Sequence, residues 1–348
     1  MNLLGQYEIP HNYLFKNTTV GGLSGIDYDK GTDLYNMISD DRSAINPARY
    51  YSAKIFTSQK GIDSVKLEDV HFLRQPNGQL YPNSQTNPLL TPDPEAIRFN
   101  PLENNLTWSS EGERIITAGD TVLEDPSINV VSVEGNWLAS YQIPDNLKMQ
   151  LTDQGPRQNS VFEGMSFADN FKTLYVSVEE PLYQDGPRAD IYENNAWIRI
   201  LKFNEGSKSN TAQYAYKLDP IARPPFPASG FKINGVSDIL AIDDHQLLVI
   251  ERSFSSGRFA STIKVFLVDL TGSTDIKDIA SLKENTSFKP LSKKLLLNMD
   301  NLGIYIDNIE GVTFGPNLPN GHRTLLFIAD NNFQSFEKTQ ILFFEVIE

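Results

Sequence analysis

Acidic side chains recur at a fixed place in a long repeat of this sequence. The phrase FEGMSFADN at 162–170 returns as IEGVTFGPN at 309–317 and, in weaker form, as PEAIRFNP at 94–101. LSGIDYD at 23–29 and NGVSDILAID at 234–243 share its order of a polar, a small and an apolar residue. The polar residues that open the five copies are Ser24, Glu95, Glu163, Asn234 and Glu310. Carboxylates at equivalent positions of a repeat are expected to meet in one place, where they could bind a cation.

A second acidic set ends the next apolar run of each copy, in MISDDR, WSSEGE, VSVEEP, VIERSF and IADNNF. It follows the first set by 16 residues in three copies, by 17 in the fourth and by 20 in the fifth. In an antiparallel sheet the beginning of one strand and the end of the next lie at the same edge, so both sets are expected to converge. The members of the second set are Asp40, Asp41, Glu111, Glu179, Glu180, Glu251 and Asp330.

Such crowded carboxylates repel one another, and they stay ionised together only where a cation or an arginine lies among them. Arg42 and Arg252 each adjoin a member of the second set. Oxygen ligands without histidine or thiolate favour calcium or magnesium, and a loose set of many carboxylates favours calcium. A structural role is the alternative, because acidic residues at a fixed repeat position also accept backbone N–H bonds from the neighbouring repeat.

The elements that position these residues are predicted to be short strands. The small residues of the five copies recur at intervals of 68 to 71 residues, with a last interval of 76. Within each interval, β-branched and aromatic runs alternate with Gly, Pro, Asn and Asp, which is typical of strands and turns. Four strands per interval predict an all-β fold, a single β-propeller of five four-stranded blades. LLGQYEIP at 3–10 is expected to complete the last blade, which has only three strands of its own. Six blades are the alternative, if SINVVSV and WLASYQI belong to a degenerate blade.

Composition excludes several classes of function. A net charge of -14 argues against nucleic acid and anionic membrane surfaces as partners. The chain has no cysteine, which excludes disulfides, thiolate metal sites and cysteine nucleophiles. No apolar run is long enough to span a bilayer, so no membrane insertion is expected. The sequence also lacks a serine-hydrolase elbow, a phosphate-binding loop, a dinucleotide fingerprint and a His-Glu-x-x-His motif.

Taken together, GGLSGIDYD, PEAIRFNP, FEGMSFADNFKTLYVSVEEPLYQDGP, INGVSDILAIDDHQLLVIERSF and DNIEGVTFGPN resemble the phytase-like family described as esterase-like activity of phytase. The resemblance runs from about residue 20 to the end. It implies a β-propeller, commonly exported by bacteria, that hydrolyses phosphoesters or esters. The chain is similar, more remotely, to calcium-dependent alkaline phytases, whose carboxylates bind calcium and whose calcium binds phosphate. Those enzymes also place several lysines and arginines around the phosphate, whereas only Arg42 and Arg252 lie within the acidic ends here.

Two hypotheses follow. In the first, the protein is a secreted calcium-dependent hydrolase with Arg42 and Arg252 binding phosphate and Glu179 or Glu180 activating water. In the second, it is a non-catalytic propeller that binds a ligand or partner over the loops at 74–94 and 218–235, and its acidic residues are structural. The metal ligands expected under the first hypothesis are Glu95, Glu163, Glu310, Asp40, Glu111 and Asp330.

The remaining expectations concern organisation and location. We expect one domain over 1–348, a monomer, and a small phosphoester or ester as the substrate. No apolar leader follows Met1, which fits either a cytoplasmic protein or an exported one whose signal peptide has been removed. The family resemblance favours the second, an extracytoplasmic location in the periplasm or outside the cell.

Overall fold

The computed structural model describes residues 1–347, which form an all-β protein with three short 3₁₀ helices at Pro88–Leu90, Asp145–Leu147 and Met299–Leu302. The strands of the first part of the chain are β1 (Asn2–Ile9), β2 (Tyr13–Phe15), β3 (Thr18–Val20), β4 (Leu23–Asp29), β5 (Leu34–Ser39), β6 (Arg49–Ser58), β7 (Gly61–Phe72), β8 (Pro94–Asn100), β9 (Asn105–Ser110), β10 (Glu113–Ile116), β11 (Thr121–Glu124), β12 (Ser127–Ser132) and β13 (Trp137–Ser140). The strands of the second part are β14 (Phe162–Ala168), β15 (Thr173–Val178), β16 (Trp197–Asn204), β17 (Ser209–Lys217), β18 (Lys232–Ala241), β19 (Gln246–Ser255), β20 (Thr262–Asp269), β21 (Ser292–Asn298), β22 (Asn308–Phe314), β23 (Thr324–Asp330) and β24 (Thr339–Glu345).

Five four-stranded sheets form the blades of a β-propeller, as the sequence predicted. The first, third and fourth blades are β4–β7, β14–β17 and β18–β21, each in sequence order. The second blade is β8, β9, β12 and β13, with the hairpin β10–β11 inserted between its second and third strands. The segments SINVVSV and WLASYQI therefore supply the third and fourth strands of this blade, and the alternative of a sixth blade is wrong.

The last blade combines both ends of the chain, which confirms the predicted closure. Its order is β22, β23, β24 and β1, and β1 pairs antiparallel with β24 from Asn2–Glu345 to Ile9–Thr339. The pairing leaves β24 inside the sheet, so the last blade has the same four strands as the others.

The Cα positions divide the chain into two compact units, and each is described by itself. Unit 1 comprises Met1–Trp108, Asn129–Ala139 and the chain from Ile304 onward, and unit 2 comprises Ser109–Ile128 and Ser140–Gly303. The main core of unit 1 contains Leu23, Met37, Tyr51, Ile328 and Phe343, among others, and that of unit 2 contains Ile200, Tyr216, Ile239, Val249 and Phe266, among others. The expectation of a single domain over 1–348 stays a prediction.

The repeated phrase is explained by the close packing of first strands. In unit 1, a Cβ at Gly25 on β4 would lie 2.6 Å from the backbone oxygen of Glu95 on β8. In unit 2, a Cβ at Gly164 on β14 would lie 2.6 Å from the backbone nitrogen of Ile239 on β18. Only glycine lets the first strand of the next blade approach this closely without a shift of the backbone.

A β-bulge accompanies the phrase in several blades. On β4 the pairing passes from Leu23–Ser39 to Gly25–Ile38, and on β22 it passes from Ile309–Ala329 to Gly311–Ile328. The residues omitted from the ladder are Ser24 and Glu310, the polar residues that open these copies. A bulge turns the side chain of the extra residue away from its regular direction, so the backbone itself sets where these polar groups lie.

No helix among the described residues is long and apolar enough to cross a membrane.

Candidate metal centre

Three carboxylates of unit 1 come together at the beginning of the second blade. Asp40 follows β5, Asp93 precedes β8, and Glu95 is the second residue of β8. Each offers one carboxylate oxygen, and these oxygens all lie within 4.8 Å of one another. Asp93 and Glu95 are buried and Asp40 is partly exposed. Three oxygen ligands at this spacing can bind one cation, and hard divalent cations prefer such ligands.

Two acidic residues of the last blade add to the charge of this cluster. Asp330 ends β23 and Glu310 lies in β22, and both are buried. Oδ1 of Asp330 accepts a hydrogen bond from the backbone N–H of Asn332 at 3.0 Å, whereas its Oδ2 is buried and accepts none. A buried carboxylate oxygen without a donor is costly in a folded protein, and a metal ion removes that cost.

The carboxylates of this cluster raise one another's pKa values. Burial raises the pKa of Asp40 well above its usual range, and the neighbouring carboxylates of Asp93, Asp330 and Glu310 raise it further. Burial and then Glu310 likewise raise the pKa of Asp330. Carboxyl groups resist ionisation in this way when no cation compensates them. We call Asp40, Asp93, Glu95, Glu310 and Asp330 the acidic cluster of unit 1. Its all-oxygen donor set and the undonated Oδ2 fit a divalent cation such as calcium.

Arg42 lies at the edge of this acidic cluster. Its Nη1 donates to Oδ2 of Asp93 at 3.3 Å, and its side chain is 22% exposed. Arg42 and Ser43 have φ values of 48° and 52°, a region that costs energy for residues other than glycine. The strained turn directs the chain back after Asp40, which brings the guanidinium to Asp93.

The backbone around Asp40 is anchored by Gly22, a residue that the sequence analysis did not assign. The N–H of Asp40 donates to the carbonyl of Gly22 at 2.6 Å, and the N–H of Gly22 donates to Oδ1 of Asn331 at 3.1 Å. Gly22 has a φ of 60°, and a Cβ there would lie 2.5 Å from the carbonyl oxygen of Asp40 and 2.6 Å from the Phe333 ring. Gly22 is thus required both by its conformation and by the close approach. Asn331 follows Asp330 directly, so the same loop fixes both sides of the cluster.

In unit 2, Glu111 and Glu163 lie close together. Each offers a carboxylate oxygen, and the two oxygens are within 4.8 Å. Both side chains are buried, and Oε1 of Glu111 accepts a hydrogen bond from the N–H of Val161, just before β14. The structure therefore brings these two predicted ligands together, and their role as metal ligands stays a prediction.

Glu179 and Arg252, also in unit 2, form a partly buried ion pair. Nη2 of Arg252 donates to Oε1 of Glu179 at 2.9 Å, with 15% and 2% of the side chains exposed. The N–H of Glu179 donates to the carbonyl of Val161 at 2.8 Å. Arg252 therefore binds the carboxylate of Glu179 in this structure, whereas the sequence analysis predicted that it binds the phosphate of a substrate. That role stays a prediction.

Glu180 is held on one side only. Its Oε2 accepts hydrogen bonds from Oγ of Ser160 at 2.7 Å and from Nη1 of Arg188. Its Oε1 is buried and has no hydrogen-bond donor. The Arg188 side chain is 41% exposed, so this partner lies at the surface. Neither Ser160 nor Arg188 was assigned from the sequence, because both lie in loops outside the repeat.

Two acidic residues of the second set contact donors of the protein instead. Oε1 of Glu251 accepts from the Tyr216 hydroxyl and from Lys293, both at 2.6 Å. Its Oε2 accepts from Nδ2 of Asn234 at 2.8 Å and from the N–H of Asp219 at 3.0 Å. Four donors satisfy this carboxylate completely, so the fourth blade has no acidic ligand at the equivalent position.

Asp41 pairs with Arg49, whose side chain is fully buried, rather than with the acidic cluster. The same guanidinium also donates to the Tyr51 hydroxyl at 2.7 Å and to the carbonyl of Thr19 at 2.9 Å. Buried guanidinium groups need several acceptors, and Asp41 is one of them. Asp41 and Glu251 are thus paired with basic side chains, whereas Asp40 and Asp330 lie in the acidic cluster of unit 1.

Comparison with known proteins assigns this arrangement to a family. A model of the family called phytase-like, described as esterase-like activity of phytase, matches residues 18–333. The chain belongs to the phytase-like family. No curated protein matches the sequence.

Several solved structures are similar to this phytase-like protein at low identity. An exo-β-1,3-galactanase from Phanerochaete chrysosporium is 9% identical, with a TM-score of 0.48 over 99% of this chain and 65% of the galactanase. A bifunctional GH43-CE protein of Bacteroides eggerthii is 11% identical, with a TM-score of 0.46 over 92% of this chain and 33% of its own. A periplasmic gluconolactonase of Pseudomonas aeruginosa is 10% identical, with a TM-score of 0.40 over 95% and 90% of the two chains. The chain thus spans less than two thirds of the length of the first two proteins.

Proposed function

We propose that this phytase-like protein is a metal-dependent hydrolase of small phosphoester or ester substrates, and that the metal is calcium. The observation that supports it most is the acidic cluster of unit 1. Asp40, Asp93 and Glu95 offer oxygens within 4.8 Å of one another, and Oδ2 of the buried Asp330 has no donor. In contrast, four donors of the protein hold the two oxygens of Glu251.

The roles of the residues follow from their places in unit 1. The calcium ligands would be drawn from Asp40, Asp93, Glu95, Glu310 and Asp330. A calcium ion held there would polarise the oxygens of a phosphoryl or acyl group for attack by water. Arg42 lies beside Asp93 and is partly exposed, so its guanidinium can donate hydrogen bonds to a substrate oxyanion. The hydrogen bond from the N–H of Asp40 to the carbonyl of Gly22 would keep this metal ligand in place before the substrate binds.

The residues of unit 2 complete the proposal. Glu111 and Glu163 are proposed as further metal ligands, Arg252 as a phosphate contact, and Glu179 or Glu180 as the group that activates water. Of the last two, Glu180 is favoured, because its Oε1 has no donor while Oε1 of Glu179 accepts from Arg252. Extracytoplasmic location and a monomeric state belong to the same proposal.

The test is hydrolysis in calcium buffer and again with excess chelator. Phytate and p-nitrophenyl phosphate report phosphoester cleavage, and p-nitrophenyl acetate reports ester cleavage. Turnover that disappears with chelator and returns with added calcium supports the proposal. If none of the substrates is turned over although calorimetry shows calcium binding, the cluster is a structural metal site, and a ligand-binding propeller is the better description.

A further inference from the structure

Unit 2 contains a cavity at the opposite end of the hairpin β14–β15 from Glu163, which lies on β14, and Glu179, which follows β15. The cavity has a volume of about 600 Å³ and lies between the third and fourth blades. It begins at Ala168, which ends β14, whereas Glu163 lies at the beginning of this strand. Five residues of strand separate the two by about 16 Å. The volume is that of a typical site for a small organic ligand.

The walls of this cavity combine two tyrosines and a lysine from the third blade. Lys202 on β16 pairs with Tyr175 on β15, and Ile200 two residues earlier pairs with Tyr214 on β17. Residues two apart on a strand share a face, so the three polar side chains lie on one face of the sheet. Leu270 and Ala168 supply apolar surface beside them.

The ammonium of Lys202 has no anionic partner among the described residues. Its Nζ forms no hydrogen bond or ion pair with any described residue, and its contact is the ring of Tyr175, 6.0 Å from the centroid. The hydroxyls of Tyr175 and Tyr214 also form no hydrogen bonds to the part of the chain that the structure describes. One charged donor and two hydroxyls are therefore available to an acceptor inside the cavity.

Negative charge lies at the rim of the same cavity. Asp169 and Asp244 are both exposed lining residues, from the β14–β15 and β18–β19 turns. Oδ1 of Asp244 accepts the N–H of Asp169 at 3.0 Å, which ties the two turns together, and the N–H of Leu270 donates to the carbonyl of His245 at 2.9 Å. These bonds hold the rim in place without a ligand. Both carboxylates act on the Tyr175 hydroxyl, whose pKa is raised by burial, by Tyr214 and by these two charges.

We propose that this cavity binds a zwitterionic small molecule of the amino-acid class with an apolar side chain. The ligand's carboxylate would bind Lys202 and the two tyrosine hydroxyls, and its ammonium would bind Asp169 and Asp244. The tyrosine rings and Leu270 would contact its side chain. A ligand with both charges fits because the ammonium of Lys202 forms no ion pair with the carboxylate of Asp169 or of Asp244. The ammonium can therefore bind an anionic group of the ligand while the two carboxylates bind a cationic one. The inference is independent of the proposed hydrolase activity.

The experiment is calorimetric titration of the full chain with L-phenylalanine, with 3-phenylpropionate, which lacks the ammonium, and with 2-phenylethylamine, which lacks the carboxylate. We expect L-phenylalanine to bind, and we expect the affinity of each analogue to be lower by about tenfold or more, because each analogue loses one charge-assisted contact. Lys202→Met and Asp244→Asn should each weaken the binding of L-phenylalanine by a similar factor. Lys294→Met is the matched control, because Lys294 is an exposed strand residue of the same unit outside the cavity.

Several results would overturn the proposal. The absence of L-phenylalanine binding at about 10 mM would exclude this ligand class, because that concentration detects binding free energies of only a few kcal/mol. Equal affinity for 3-phenylpropionate would make the cavity a site for simple carboxylates. Binding that survives Lys202→Met unchanged would place the ligand elsewhere. Far-ultraviolet circular dichroism of each variant separates loss of binding from loss of fold.

Discussion

Glu179 packs directly against Gly235, where a Cβ would lie 2.6 Å from Cγ and 2.9 Å from Cδ of the glutamate. The N–H of Val236 donates to the carbonyl of Glu179 at 3.1 Å, so backbone and side chain meet at one point. The glycine of the repeated phrase thus creates space for the acidic residue of the preceding blade. This contact links the repeated phrase to the second acidic set, because the small residue of one copy lies against the carboxylate of the preceding copy.

Gly235→Ala should therefore displace Glu179 and break its bond to Arg252. We expect a loss of about 1–3 kcal/mol in the free energy of unfolding, since overpacking a buried site costs this much. Gly206→Ala is the control, because a Cβ there meets only the side chain of Asn204 at 3.7 Å in an exposed turn. Urea denaturation of both variants measures the difference. Equal stabilities for the two variants would show that the Glu179 side chain moves away from the added methyl group at little cost.

Asp330→Asn should have opposite effects with and without calcium. Removing a charge whose Oδ2 has no donor lowers repulsion in the acidic cluster, so the melting temperature in chelator should rise by about 1–3 °C. In calcium buffer the stabilisation by the metal should shrink, because one ligand charge is lost. Glu103→Gln, an exposed change in the same unit, should alter neither value. A variant that keeps the full calcium-induced shift would exclude Asp330 as a ligand.

His71 should make the stability of the protein depend on pH below neutrality. Its ring stacks on Tyr50 with centroids 4.7 Å apart, and burial lowers its pKa below the ordinary 6.5 despite the nearby Asp69 and Glu134. The unfolded chain thus binds the proton more tightly than the folded protein. The stability due to the neutral ring is present above 6.5 and is lost as the pH falls from there through the folded-state pKa.

The measurement is urea denaturation in chelator between neutral and mildly acidic pH. His71→Phe keeps an aromatic ring on Tyr50 and removes the titration, so its stability should fall less steeply than that of the wild type as the solution becomes acidic. His11→Phe, at an exposed position of the same unit, should follow the wild type. A slope unchanged by His71→Phe would assign the acid sensitivity to other groups.

The blades could be predicted from the sequence because strand and turn chemistry is local. Runs such as QLLVIERSF carry their own alternation of apolar residues and turn signals, and the repeat fixes their number and order. The closure by LLGQYEIP followed from a count, since the last interval lacked one strand. The β-bulges were not predicted, although glycine within a strand pattern is the signal for them.

The sorting of the acidic residues could not be predicted in the same way. Glu251 and Asp330 lie on the second strands of their blades, yet four donors surround Glu251 while Oδ2 of Asp330 has none among the described residues. The donors come from Tyr216, Asp219, Asn234 and Lys293, whose approach depends on packing between segments that are separated in sequence. Asp93 was missed because it lies in a loop, two residues before the repeated Glu95. An Asp-Pro pair directly ahead of the phrase was its only signal.

Arg42→Met should distinguish phosphoester from ester hydrolysis. A guanidinium that contacts phosphate oxygens stabilises an anionic substrate more than a neutral one. Without it, kcat/KM for p-nitrophenyl phosphate should fall about tenfold to a hundredfold. The neutral p-nitrophenyl acetate should be affected much less, and the calcium affinity should stay close to that of the wild type. Equal losses for both substrates would mean that Arg42 acts by holding Asp93, to which its Nη1 donates at 3.3 Å.

Glu180→Gln and Glu179→Gln should differ in their effect on turnover. Glu180 has an undonated Oε1 that can accept a proton, whereas Oε1 of Glu179 accepts from Arg252. If Glu180 activates water, Glu180→Gln should lower kcat by about a hundredfold or more with little change in KM. Glu179→Gln keeps an oxygen for Arg252 and should retain more activity. The two rate constants, measured with calcium at saturation, decide between the residues. A larger loss in Glu179→Gln would assign the general base to Glu179 and leave Glu180 as the partner of Ser160 and Arg188.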